Sequence, residues 1–265
     1  MSVPIAVSIA GSDSSAGAGI EADLKTFAAL GVYGATVVTA LTAQNTGGVF
    51  GIHEVPADFV AAQINAVFTD LDVKAVKIGM LGNAQIIGVV TASLDRYRPS
   101  NVVLDPVLVA SSGERLLRED ALTALRDLIS RVHLLTPNLA EAAVLLGASP
   151  ARDENEMQAQ GQQLLTLGVV AVLIKGGHGG GPESVDYLVE ADHSLRLAAP
   201  RLETRKTHGT GCTFASAIAA GLAKGLALDE AARQAKVYVS AAIAAADRLD
   251  VGSGRGPLHH FHAWW

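Results

Sequence analysis

Lys206-Thr207-His208-Gly209-Thr210-Gly211-Cys212-Thr213 follows a charged segment, 201–205, and opens a small-residue run, 214–223, that reads as a buried helix. A Gly-rich turn feeding a helix N-terminus makes an anion site. The glycines let backbone come close, and the first helical N–H groups have no intrahelical acceptor. The helix dipole adds partial positive charge there. Cys212 is the single cysteine of the chain, and a thiol at such a place is expected to have a lowered pKa. The stretch also fits a plain Gly/Thr-rich N-cap with a small buried residue behind it, and spacing alone leaves both readings open.

Working outward, short β-rich runs alternate with helical ones. Strands are expected at 3–10, 34–41, 49–54, 74–78, 101–104, 132–135 and 169–174, with an antiparallel pair at 184–190 and 195–199. Helices are expected at 16–30, 56–70, 83–97, 119–130, 139–146, 155–167, 213–224 and 229–249, and a polar loop at 42–48. This alternation predicts an α/β fold, a mostly parallel sheet with helices on both faces. Polar and Gly-rich residues gather after strands, at 11–15, 42–48, 79–82, 105–113, 136–138 and 175–181. In such sheets ligands bind outside the carboxyl ends of the strands, so these loops should line one cleft.

The chain has 265 residues, which suits one α/β domain, and 49% of them are apolar. Its net charge of −6 and lack of a basic run argue against nucleic acid or anionic membrane as the partner. One cysteine excludes an internal disulfide and a Cys-cluster zinc site. The apolar start is too short for a signal peptide, and no run of 18 apolar residues exists, so a cytoplasmic protein is expected.

Several motifs carry two readings each. Gly17-Ala18-Gly19-Ile20-Glu21-Ala22 matches the dinucleotide pattern but stands too far beyond the first strand, and no acidic residue ends the second strand. No P-loop occurs. Asn138-x-x-Glu141 is either an N-cap with an acidic first turn or a pair that orders water around nucleotide-borne Mg²⁺. Lys175 is either a snorkelling surface lysine or a phosphate counter-charge. Asp105-Pro106 is a turn or part of the site. Asp23 is a solvated face residue or a substrate acceptor. His259, His260 and His262 suggest a metal tail or, more simply, a terminal segment packed by Phe261, Trp264 and Trp265.

Taken together and in order, these blocks resemble the ribokinase-like kinases and, more narrowly, the hydroxymethylpyrimidine/phosphomethylpyrimidine kinases of thiamine biosynthesis. The resemblance is carried by 9–13, 17–26, 39–46, 77–81, 136–142, 175–178, 208–213 and the ending 256–262. It implies a three-layer αβα sandwich, ATP with Mg²⁺, a homodimer, and two successive phosphorylations of a small pyrimidine alcohol. It implies that the Gly209, Thr210, Gly211 and Cys212 amides hold the γ-phosphoryl group, with Cys212 as base where the wider superfamily has Asp. Asn138, Glu141 and Asp105 would organise Mg²⁺, Lys175 and Thr207 would face the phosphates, and the helix around Lys236 would border the adenine. Asp23, Thr42 and Gln44 would read the pyrimidine edge, with Gly11, Met80 and Val107 shaping an apolar slot. Ser15-Ala16, Glu21 and Ser111 depart from the family pattern and bear on substrate-loop details. A pyridoxal/pyridoxine kinase and a catalytically silent vitamin-binding regulator are the alternatives on the same scaffold.

Overall fold

The computed structural model describes residues 3–108, 116–177 and 180–265. Ser111 and His178, two positions of the resemblance, lie outside them. The strands are β1 (Ile5–Ala10), β2 (Tyr33–Val38), β3 (Ala40–Asn45), β4 (Gly48–Glu54), β5 (Val73–Ile78), β6 (Val102–Leu104), β7 (Leu134–Leu135), β8 (Ala171–Lys175), β9 (Glu183–Val189) and β10 (Ser194–Pro200). The helices are α1 (Gly19–Ala29), α2 (Ala57–Asp70), α3 (Ala84–Tyr97), α4 (Leu122–Ile129), α5 (Leu139–Leu146), α6 (Glu154–Leu165), α7 (Thr210–Ala223) and α8 (Leu228–Ala244).

The main sheet runs β10-β9-β8-β7-β6-β5-β1-β2. Its pairs from β8 to β2 are parallel, and β9 and β10 are antiparallel. Period-two alternation splits the core into two layers. Val7, Ile9, Val76, Ile78, Leu135 and Ile174 face one layer, with Ile64, Ile87 and Leu128 of α2, α3 and α4. Ala6, Ala75, Val103, Leu134 and Leu173 face the other, with Phe27 of α1 and the alanines of α7 and α8. The small residues let α7 and α8 pack closely: a Cβ on Gly221 would sit 2.9 Å from that of Ala231. This is the expected αβα arrangement. No helix of the described residues is long and apolar enough to cross a membrane.

Three departures from the sequence reading have local causes. First, the polar loop expected at 42–48 is mostly strand. β3 and β4 form a separate two-stranded sheet, and the side chain of Asn45 accepts from Gly47 N at 2.8 Å to make the turn. Thr, Gln and Asn hid the strand because the face it buries, at Ala40, Thr42 and Gln44, is partly polar. Second, α1 starts three residues late, at Gly19. Residues 13–18 wrap around the Asp13 carboxylate, which accepts N–H groups of Ser15, Gly17 and Ala18. Third, α7 starts three residues early, at Thr210, because Gly209 caps it in a left-handed conformation, φ +83°.

Candidate active site

The carboxyl ends of β1, β5, β6 and β8, the start of α5 and the start of α7 open on one cleft of about 890 Å³. Gly11, Thr42, Gln44, Met80, Val107, Asp105, Asn138, Glu141, Lys175, Thr207, Gly209, Thr210, Gly211, Cys212 and Lys236 all line it. Asp23 does not. The loops after parallel strands therefore meet at one edge, while Thr42 and Gln44 arrive from the β3–β4 hairpin.

The Gly-rich turn leaves no room for side chains. A Cβ on Gly209 would lie 1.9 Å from the carbonyl oxygen of Gly17. One on Gly211 would lie 3.1 Å from Lys175 Nζ and 3.6 Å from Asp105 Oδ2, so this glycine lets the ion pair touch the helix start. Thr210 N–H donates to Thr207 O at 3.3 Å. Among the described residues the N–H groups of Gly211 and Cys212 meet no acceptor. Free N–H groups at a helix start are the kind of donor an anion takes.

The lowered thiol pKa expected for Cys212 is overturned. Although the residue is only half-buried, loss of water pushes its thiol up to about 11, against the pull of Lys77, and Asp23 and Asp105 add to the rise. The helix end does not outweigh this desolvation.

The N-cap reading of Asn138-x-x-Glu141 holds. Asn138 Oδ1 accepts from Glu141 N at 2.9 Å and Glu141 Oε2 accepts from Asn138 N at 2.8 Å, a reciprocal cap on α5. The same residues line the cleft. Burial pushes the Glu141 carboxyl up, opposed by Lys175 and aided by Asp105. Lys175 Nζ donates to Asp105 Oδ1 at 2.6 Å, and Thr136 Oγ1 reaches the same oxygen at 3.3 Å. Lys175 is thus a buried counter-charge rather than a snorkelling lysine. Two carboxylates and a side-chain amide on one wall are hard oxygen donors of the kind Mg²⁺ takes through water.

Asp23 is corrected from a substrate reader to an anchor beneath the cleft. Its side chain is 0% exposed. Its oxygens accept from Lys77 Nζ at 2.8 Å, Ser8 Oγ at 2.6 Å and Ser216 Oγ at 2.6 Å. Lys77 itself lines the cleft. Burial opposes its charge, but Asp23, Cys212 and Asp105 together outweigh burial and hold the amine above its ordinary range. Lys77 carried no site role in the sequence reading. Its signal was a lysine inside a run whose neighbours alternate between both buried faces.

Lys236 also lines the cleft, and its amine is held by Asp186 Oδ2 at 2.6 Å and Ser184 O at 2.9 Å. Asp13 and His208 were also missed as a pair. His208 Nε2 meets Asp13 Oδ2 at 2.9 Å and Gln44 Nε2 at 3.3 Å. Burial works against the Asp13 charge, yet the hydrogen bonds from His208, Ser15 and Ala18 hold it well below the carboxylate range. Thr42 Oγ1 meets Gln44 Oε1 at 3.1 Å and orients that end of the Gln44 amide, since a His208 Nε2–H given to Asp13 cannot also accept from Gln44 Nε2.

Residues 13–259 match the phosphomethylpyrimidine kinase family. The chain belongs to that family. It is 56% identical to a hydroxymethylpyrimidine/phosphomethylpyrimidine kinase of Rhizobium meliloti, over 98% of either chain. Its structure is similar to that of a phosphomethylpyrimidine kinase from Clostridium difficile, with TM-score 0.81, 41% identity, and coverage of 91% of this chain and 100% of that one. It is also similar to an ADP complex of Bacillus subtilis pyridoxal kinase, with TM-score 0.92, 34% identity and 99% of both chains covered.

The histidine-rich ending is a packing element in which the Trp265 ring lies 4.7 Å from His259 and 6.4 Å from Phe261, as expected of Phe261 and Trp265. His259 and His260 are buried, whereas Trp264 and Trp265 stay about 70% exposed. Among the described residues the one cluster with metal-ligand spacing is Glu190, His193 and Asp229, which includes none of the three C-terminal histidines.

Proposed function

We propose that the chain transfers the γ-phosphoryl group of ATP to 4-amino-5-hydroxymethyl-2-methylpyrimidine and then to its monophosphate, within thiamine biosynthesis. The observation that carries this reading is one cleft holding the unpartnered Gly211 and Cys212 amides, the Asp105–Lys175 pair against Gly211, and the oriented Gln44 amide. Phosphoryl transfer needs in-line placement and charge neutralisation more than covalent help. Gly211 and Cys212 N–H donate to the transferring oxygens, and Lys175 neutralises their charge. Gln44 offers donor and acceptor to the heteroaromatic edge, with Gly11, Met80 and Val107 around the ring. Glu141, Asn138 and Asp105 would hold Mg²⁺ through water, and the ion supplies charge neutralisation on the phosphates. The family relationship and the kinase neighbours support this assignment.

A homodimer is part of the proposal. The β3–β4 hairpin exposes Leu41, Phe50 and Ile52, Phe50 by 73%, which suits cover by a second copy. All 265 residues form one kinase domain in this reading, as the main sheet draws strands from Ile5 to Pro200.

The second reading is pyridoxal phosphorylation, favoured by the close match to the Bacillus subtilis pyridoxal kinase. The test is ATP turnover with the pyrimidine alcohol, its monophosphate and pyridoxal, each product identified by mass. The pyrimidines should be preferred and chelator should abolish turnover. Faster pyridoxal turnover would transfer the assignment to the second reading, and no turnover with any acceptor would end both.

A further inference from the structure

Lys77 is the charged group that the proposed chemistry leaves unused. It lies in β5 beside Ser8 of β1, its register partner, with a side chain 0% exposed. An ammonium carries three donors. Among the described residues Asp23 is the single acceptor that meets it. The cation is therefore buried, has one of its three donors paired, and is set in the cleft lining. A well-packed apolar residue would stabilise such a position at least as well as an ion pair, so a lysine here calls for a use.

The fold places it under Cys212. Ser216 follows Cys212 by four residues in α7, so the two lie on one helix face a turn apart. Ser216 Oγ holds Asp23 Oδ1, and Asp23 Oδ2 holds Lys77 Nζ. Gly79 keeps the space open, since a Cβ there would come within 2.9 Å of Nζ. Lys77 from β5 and Lys175 from β8 are the cations that act on the thiol, and Asp23 from α1 and Asp105 after β6 the anions. Asp105 is bound to Lys175.

We propose that Lys77, fixed by Asp23, is a positioning residue for phosphoryl transfer: its ammonium stabilises negative charge on the Cys212 sulfur as the acceptor hydroxyl is activated. This rests on the kinase reading above. In that step the thiolate takes the hydroxyl proton while the acceptor oxygen bonds to the γ-phosphorus. The bond from phosphorus to the nucleoside diphosphate breaks with its electron pair, leaving a neutral thiol. Of the groups acting on the Cys212 thiol, Lys77 is the main one favouring the anion.

The test uses iodoacetamide on the ligand-free protein, where Cys212 is the sole cysteine. In Lys77→Met the alkylation rate at pH 8 should fall about tenfold or more, the effect of one pKa unit or more. The kcat should fall at least tenfold with KM for ATP held within about twofold, and Lys77→Arg should recover part of both. If Lys77→Met does not fold because Asp23 is left unpaired, Asp23→Asn/Lys77→Met keeps the buried pair neutral and is read against Asp23→Asn alone. An unchanged alkylation profile in a folded variant overturns the proposal. Should the wild type lack turnover, the kinase reading fails, while the alkylation comparison still reports on Lys77.

Discussion

The cleft is built over two lysine–carboxylate pairs of nearly equal length and different character. Asp23–Lys77 spans 2.8 Å with both side chains 0% exposed, and the serines at 8 and 216 complete the carboxylate. Asp105–Lys175 spans 2.6 Å, but Lys175 keeps 12% exposure and the pair lies against side-chain-free Gly211. The first pair is closed by hydroxyls from β1 and α7, so it ties sheet to helix. The second has Glu141 acting on it from α5 and open space beside it, so its partners can change when phosphate arrives. Occupancy of the remaining lone pairs separates a carboxylate fixed in place, Asp23, from one that can change partners, Asp105.

Mutation can break that contrast. Asp23→Ala leaves Lys77 buried without its anion, and removal of one partner of a buried pair costs about 3–5 kcal/mol. Denaturant unfolding should show that loss, and a change under about 1 kcal/mol would mean the closed pair is not structural. Lys175→Met should do the reverse. We expect kcat to fall by about 10²–10³, as for loss of one transition-state donor, with a smaller change in the unfolding midpoint. A variant that unfolds early yet keeps its kcat would exchange the roles of the two pairs.

The closed side extends to His260, whose Nε2 meets Thr213 Oγ1 at 3.0 Å. Burial, with Lys25 and His259, lowers its pKa from 6.5 to about 4. The unfolded chain takes the proton first, so this contribution is full above about pH 6.5 and is lost as pH falls toward 4. The expected loss is roughly 3 kcal/mol across that window. His260→Gln should flatten the acid limb of a stability–pH curve, and an unchanged slope would show that His260 titrates normally.

The smallest effect belongs to substrate choice. Gln44→Ala should raise KM for the pyrimidine about tenfold, the scale of one lost buried hydrogen bond, with KM for ATP unchanged. Equal use of both acceptors at wild-type efficiency would remove Gln44 from recognition.

Much of this was legible in residues because strand alternation and post-strand glycines are local signals. The strand order was not, since nothing local records which strands pair, nor was the first strand of the hairpin, whose buried face carries Thr42 and Gln44 rather than apolar residues. Gly209, Asn138, Glu141 and Gln44 stood out by type and position. Asp23 stood out in the wrong role and Lys77 did not stand out, because their meaning lies in a contact 54 residues apart in sequence. The thiol's acidity was misjudged because sequence shows the helix end and hides the desolvation.

The eight-stranded order also leaves two edges, β2 and β10, where unpaired peptide groups invite another chain to add on. They are guarded differently. At β2 the Gln63 amide acts as a substitute strand, donating to Val38 O at 3.0 Å and accepting from Val38 N at 2.9 Å. At β10 the guard is charge and shape: Arg196 pairs with Glu154 and Glu183, and the strand ends on Pro200. Resistance to edge-on aggregation at β2 thus depends on one glutamine side chain, whereas at β10 it is spread over several residues.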